Sequence, residues 1–296
     1  MSTRRYWCLG VLAALGGALV MGRPLVADEA AAPRELAAAL IERVLRDDND
    51  AVDPAQRIAQ LDMAAKQVGE ALPANVMVAA QLAGTRESIA AAQGDADPGR
   101  AVAAWRKSLA EARETLVFEP LIEAPLPEGF PDPVPVGEVR LQQVPAYRLA
   151  RTPMGFLEGR AFWTLFNHIK ERDIAMTAPV EMTYTQSEGG GAKATAMSFL
   201  YRSTSQGQTG KAGSVDVVDV EAHWALSMGL RGEPNRKRVE EAQAFLDRWL
   251  AEHAAEYEPS GPLRVMGYNS PFVPDNRKYT EVQIPLRAKS VDASGG

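Results

Sequence analysis

The sequence predicts an α+β chain: an all-α amino-terminal region followed by a distorted β-barrel of two βαββ-type repeats with two flanking helices. Three observations carry this. Apolar residues recur at helical spacing through residues 33–118; six prolines crowd residues 120–135; beyond them, strand-like alternation is interrupted by only two amphipathic helices. With 296 residues, 46% of them hydrophobic and 24% charged, the chain has ample material for two modest cores.

Residues 1–27 read as a secretory signal. Arg4 and Arg5 precede an apolar run from Trp7 to Met21, and Pro24-Leu25-Val26-Ala27 supplies a helix break with a small residue before Asp28. The run is short for the ~20 residues that span a bilayer. An uncleaved amino-terminal anchor is the alternative. The expected location is therefore outside the cytoplasm, periplasmic or extracellular. Cys8 is the single cysteine, which rules out an intrachain disulfide and a cysteine-based zinc site.

Residues 28–119 predict a helical bundle. Leu36, Leu40 and Val44 share one helix face, and two Asp-Pro pairs, Asp53-Pro54 and Asp97-Pro98, each combine an N-cap with proline at the first helical position. The segments after them align without a gap, pairing Ile58 with Val102, Leu61 with Trp105 and Leu72 with Leu116, with a helix from Pro73 to Ala92 between them. The bundle contains no histidine and no metal-ligand spacing, so it reads as a docking or spacer module that offers a surface to a protein partner. Residues 120–135, with Pro120, Pro125, Pro127, Pro131, Pro133 and Pro135, form the linker, because proline removes backbone donors and blocks regular helix.

The second domain spans residues 136–290, with 291–296 as a disordered tail. Val136–Arg148 has strand character, and Leu157–Lys170 is an amphipathic helix bearing Phe162, Leu165, Phe166 and Ile169. Strands are expected at 174–185, 194–202, 215–220 and 223–230. A second helix follows over 235–253, then strands at 263–267 and 279–286. The two helices share a spacing, Glu158-Ala161-Phe162-Phe166 against Glu241-Ala244-Phe245-Trp249, which suggests an internal repeat.

A formal charge of −6 argues against nucleic acid as a partner, since phosphate neutralisation requires clustered surplus cations. Arg236-Lys237-Arg238 reads as a solvated helix face. The chain has no GxSxG elbow, HExxH helix or P-loop, so binding ranks ahead of catalysis, with a hydrolase of small apolar substrates as the remaining enzymatic reading.

Two separated segments narrow the reading. Ile174-Ala-Met-Thr-Ala-Pro-Val180, directly after an amphipathic helix, and Gly267-Tyr-Asn-Ser-Pro271 with Asn276-Arg277 and Glu281-Val282 resemble the signature and closing motifs of the SOUL heme-binding family. The resemblance implies two repeated βαββ units and a tetrapyrrole, heme or another porphyrin, in an apolar groove beside the first helix of the domain. Carried onto this chain, the groove involves Arg160, Phe162, Leu165, Phe166 and Asn167. His168, about 40° round the helix from the apolar stripe, is then the candidate iron ligand, against a plain half-exposed surface position, and Met176 is an alternative soft ligand, against plain core. The bland reading of Phe162 and Phe166 is core filler between helix and sheet, and both roles are compatible. His223, at a strand start, and His253, at a helix end where it suits the dipole, rank below His168 as ligands. The expected function is that of an exported, non-catalytic tetrapyrrole carrier or buffer; the alternative is a protein-interaction module of the same fold that has lost heme binding.

Overall fold

A computed structural model describes residues 31–47, 52–92, 97–155, 158–186 and 192–289. The expected signal segment and the carboxy-terminal tail lie outside the described residues.

Helices α1 (Ala31–Arg46), α2 (Pro54–Ala71), α3 (Met77–Ala91) and α4 (Pro98–Leu116) pack around Ile41, Leu61, Val68, Leu82, Trp105 and Leu109. Both Asp-Pro starts behave as read: the Asp53 carboxylate accepts from the Ala55 and Gln56 amides, and that of Asp97 from the Gly99 amide. The gapless pairing of the two segments also matches in burial, with Leu61 and Trp105 buried, Leu72 and Leu116 buried, and Ile58 and Val102 packed against the core from its margin. Helix α3 starts four residues later than Pro73, because Val76 is drawn into a bridge with Glu138.

The bundle is fastened to the second domain rather than held off it. Met77 donates its amide to Gly137 O at 2.6 Å, and the Val139 amide donates to Asn75 O at 2.9 Å. Arg34 is buried; its guanidinium donates to the carbonyls of Thr115 and Val136 at 3.0 Å each and lies 3.6 Å from the Glu138 carboxylate.

The second domain contains β1 (Val139–Val144), β2 (Tyr147–Pro153), α5 (Glu158–Glu171), β3 (Val180–Gln186), β4 (Ala192–Leu200), β5 (Gly210–Ala212), β6 (Val215–Val220), β7 (His223–Arg231), α6 (Arg236–Glu252), β8 (Tyr257–Pro259), β9 (Leu263–Gly267) and β10 (Tyr279–Ala288). All ladders are antiparallel and form one sheet in the order β1-β7-β10-β9-β3-β4-β2-β6-β5, with β8 on β10. The α+β class is as expected. The barrel is not closed, since no ladder joins β1 to β5 among the described residues. The expected strand over 136–148 divides at Pro145, which cannot donate to a ladder, and β3 begins only after the cis Ala178–Pro179 bond.

The repeat is visible in the pairing. β2-α5-β3-β4 assembles as β2·β4·β3, and β7-α6-β9-β10 assembles as β7·β10·β9, joined by β3·β9. Each unit also borrows the strand that leads into the other, β1 on β7 and β6 on β2. The helix alignment read from the sequence needs correction. Buried positions correspond at a separation of 81, Ala161 with Ala242 and Leu165 with Leu246, whereas a separation of 83 sets buried Ala161 against exposed Ala244. Two residues turn a helix by about 200°, so the aromatic pairs Phe162/Phe166 and Phe245/Trp249 occupy opposite flanks of their helices.

Register decides the faces, because directly opposed residues point the same way and alternate along each strand. Val180, Met182, Phe199, Val265, Leu226 and Val282 face the helices, α5 over one half of the sheet and α6 over the other. The opposite face is covered by the proline-rich segment: Phe130 packs on Tyr147, and Phe118, Ile122 and Leu126 pack around Met266, Tyr268 and Tyr279. The linker of the sequence reading is thus a strap, pinned by the Ala178 amide on Pro125 O and the Glu128 amide on Arg202 O.

Candidate functional site

On α5 the buried stripe is Ala161, Leu165, His168 and Ile169. At 100° per residue, Phe162, Phe166 and Lys170 form the adjoining ridge, and Trp163 stands just beyond it. Phe162 and Phe166 stack with centroids 6.2 Å apart and an interplanar angle of 12°. Trp163 closes edge-on against both rings, at 5.7 and 5.6 Å, and is 52% exposed. Phe199 supports Phe162 from the sheet at 5.2 Å, while half-buried Met154 and Met176 pack at the same cluster. The result is an aromatic flank, half sunk into the core and half open, with Lys170 at its carboxy-terminal end.

The sequence-predicted residues separate here. Phe162, Phe166 and Met176 come together at the flank, and Leu165 lies fully buried beneath it. Arg160 and Asn167 are exposed, about 120° and 100° round the helix from Phe166, so Lys170 is the cation better placed for the ridge. Trp163 and Met154 were not singled out from sequence. An aromatic residue one step outside an apolar stripe was the available signal for Trp163.

His168 is buried, not half-exposed at the surface, and its Nε2 lies 2.9 Å from the Tyr201 hydroxyl. Burial, with the Arg172 charge assisting, holds the His168 pKa below its ordinary value and keeps the ring neutral. His223 is fully engaged: Nδ1 lies 2.8 Å from Glu221 O and Nε2 accepts from Arg264 at 3.0 Å.

The strap-facing side holds a second polar cluster. Glu281, on β10, is buried; its Oε1 accepts from the Val134 amide at 2.8 Å and lies 2.7 Å from the Tyr279 hydroxyl, which also reaches Val134 O at 2.5 Å. Tyr279 has one hydroxyl hydrogen for two acceptors. It shares that hydrogen between the two, and burial pushes the Glu281 pKa up against the hydrogen bonds from Tyr279, Val134 and Gln283 that hold it down. The cluster anchors the strap. A cleft of about 380 Å³ between bundle and sheet, lined by Met77, Glu114, Val136, Gly229, Arg231 and Arg238 among others, involves no residue of α5.

The family model described as SOUL heme-binding protein matches residues 127–285. The chain belongs to the SOUL family. The match takes in the later part of the strap, all ten strands but the last residues of β10, and both flanking helices. No curated protein matches the chain. Among solved structures, the carboxy-terminal domain of EcmrR is 15% identical, with TM-score 0.39, covering 51% of this chain and 97% of that one. A hydrolase from Listeria innocua is 12% identical, with TM-score 0.40, covering 52% and 94%. The EcmrR chain solved with DNA is 15% identical at TM-score 0.39, and the alignment spans 50% of this chain and only 57% of that one. Likenesses of this strength fix neither ligand nor activity.

The α5 residues fit the apolar part of a SOUL-family ligand. A tetrapyrrole presents a broad apolar face and carboxylates at one edge, and the flank offers stacked rings, two thioethers and Lys170. His168 does not fit as an iron ligand in this arrangement, because its Nε2 is committed to Tyr201.

Proposed function

We propose that the protein is an exported, non-catalytic carrier or buffer of a tetrapyrrole, held by stacking on the α5 flank. The observation that supports this most is the Phe162–Phe166 stack edged by half-exposed Trp163: an apolar aromatic surface left partly open beside the α5 core. Phe162 and Phe166 take the macrocycle, Trp163 closes its side, Met154 and Met176 line its edge, Leu165 sets the rings from below, and Lys170 meets a carboxylate. Arg160 and Asn167 remain outer contacts reached by side-chain rotation. Heme, where bound, supplies its own redox and ligand chemistry; the residues of this flank supply orientation and exclusion of water. A half-open flank suits exchange of the cargo better than permanent retention.

Export is part of the proposal and rests on residues 1–27; amino-terminal sequencing of protein recovered from the cell envelope should begin at Asp28, and a chain that retains Met1 in the membrane fraction selects the anchor. Binding is tested by titrating the full chain with metal-free protoporphyrin IX. Each ring contributes roughly 1–2 kcal/mol, so the double change Phe162→Ala/Phe166→Ala should weaken binding at least about tenfold. Unchanged affinity in that variant contradicts the assignment of the flank.

A further inference from the structure

We infer that α6 carries a second, separate site, specific for a metalloporphyrin, in which His253 Nε2 is the axial ligand of the iron. This goes beyond the α5 proposal: it uses another helix, another flank and a coordinate bond in place of stacking alone.

The three histidines differ in what their nitrogens are doing. His168 and His223 have Nε2 engaged, by Tyr201 and Arg264. His253 is the C-cap of α6, and its Nδ1 lies 2.8 Å from Trp249 O. A carbonyl only accepts, so Nδ1 carries the hydrogen and Nε2 presents its lone pair. No partner for Nε2 occurs among the described residues, and the residue is half-buried. This is how a protein readies an imidazole for a metal: one ring nitrogen donates to a backbone carbonyl, which fixes the tautomer and orientation, and the other is left bare. The ring is further held by Trp249, stacked on it at 3.8 Å with an interplanar angle of 10°.

The surroundings suit a flat organic ligand better than a naked ion. No group of three or more metal-binding side chains occurs among the described residues, so a bare cation would find fewer than three such ligands here. An iron porphyrin brings four nitrogens of its own and needs one more. Phe245, Trp249 and His253 follow at i, i+4 and i+8 on one ridge, with Tyr257 6.2 Å from Trp249 and 6.5 Å from Trp224. These rings are half-buried members of the α6 core margin. A cation stands near either end of the ridge, Arg248 over the Phe245 ring at 5.5 Å and Lys289 with Nζ on Ala254 O, so the carboxylate edge of a porphyrin meets one of them in either orientation.

The test is titration of the full chain with ferric heme, read by the Soret band and by electron paramagnetic resonance, beside metal-free protoporphyrin IX. Wild-type protein should give the signature of imidazole-ligated iron. It should persist in His168→Gln and in Phe162→Ala/Phe166→Ala, and vanish in His253→Gln proteins whose thermal melt matches wild type. The inference is overturned by imidazole ligation that survives His253→Gln, that disappears with His168→Gln, or that is never seen. Metal-free protoporphyrin separates this from the α5 reading, because its binding should ignore His253→Gln and depend on Phe162 and Phe166; if wild type does not bind it, the α5 reading fails and the His253 result still stands.

Discussion

Replacing Arg34 by alanine tests whether bundle and sheet are one unit. The substitution removes a part-buried hydrogen bond to Thr115 O and a buried one to Val136 O, each worth about 1 kcal/mol net. It also leaves Glu138 without one of its two cations. Breaking a buried ion pair typically costs about 3–5 kcal/mol, but Arg140 stays 2.6 Å from the same carboxylate, so the lower end applies. The expected loss is about 3 kcal/mol, or roughly 6–12 °C in melting temperature for a chain of this size. Urea unfolding followed by far-ultraviolet circular dichroism measures it. Adding Glu138→Gln to Arg34→Ala should recover part of the loss, since no buried charge is then stranded. A change below about 0.5 kcal/mol for Arg34→Ala refutes the idea that this contact fastens the helices to the sheet.

Other perturbations address the strap and the buried titrating groups. Glu281→Gln should cost less than Glu281→Ala, because an amide oxygen in the place of Oε1 still accepts from Val134 and Tyr279, whereas Glu281→Ala should cost about 1–3 kcal/mol by chemical denaturation. Gly229→Ala should destabilise severely, since a Cβ there meets the backbone of Val134 and comes within 2.8 Å of Pro135 O; limited proteolysis should then cut the strap first. The folded-state pKa of His168 lies below its unfolded value, so its contribution is fully present above the unfolded pKa and is lost as pH falls through the folded one. Melting temperature should drop on acidification below about pH 6.5, and His168→Gln should flatten that limb; an unchanged slope shows that the ring titrates freely.

Local signals carried much of this structure into the sequence. Asp53 and Asp97 announced helix starts because a cap is a contact between near neighbours, and the two strand–helix–strand–strand units were readable from alternating periodicity. What escaped depended on distance along the chain. The strap looked like a spacer because its prolines report only backbone restriction, not that Phe130 and Val134 would land on Tyr147 and Glu281. The helix repeat was misaligned by two residues because aromatic identity was matched instead of burial. His168 was placed at the surface because its stripe position says nothing about Tyr201, 33 residues on, which completes its burial. Phe162 and Phe166 were legible since the ridge is a property of one helix, while Met154 joins them only through folding.

Equilibrium binding of metal-free protoporphyrin IX to the full chain, compared with the Phe162→Ala/Phe166→Ala variant at matched folded fraction, bears on the central claim most directly. Saturable binding that weakens at least about tenfold in the variant is the expected result. Absence of binding by the unmodified chain, or equal affinity in both proteins, contradicts the assignment of the α5 flank as the tetrapyrrole surface.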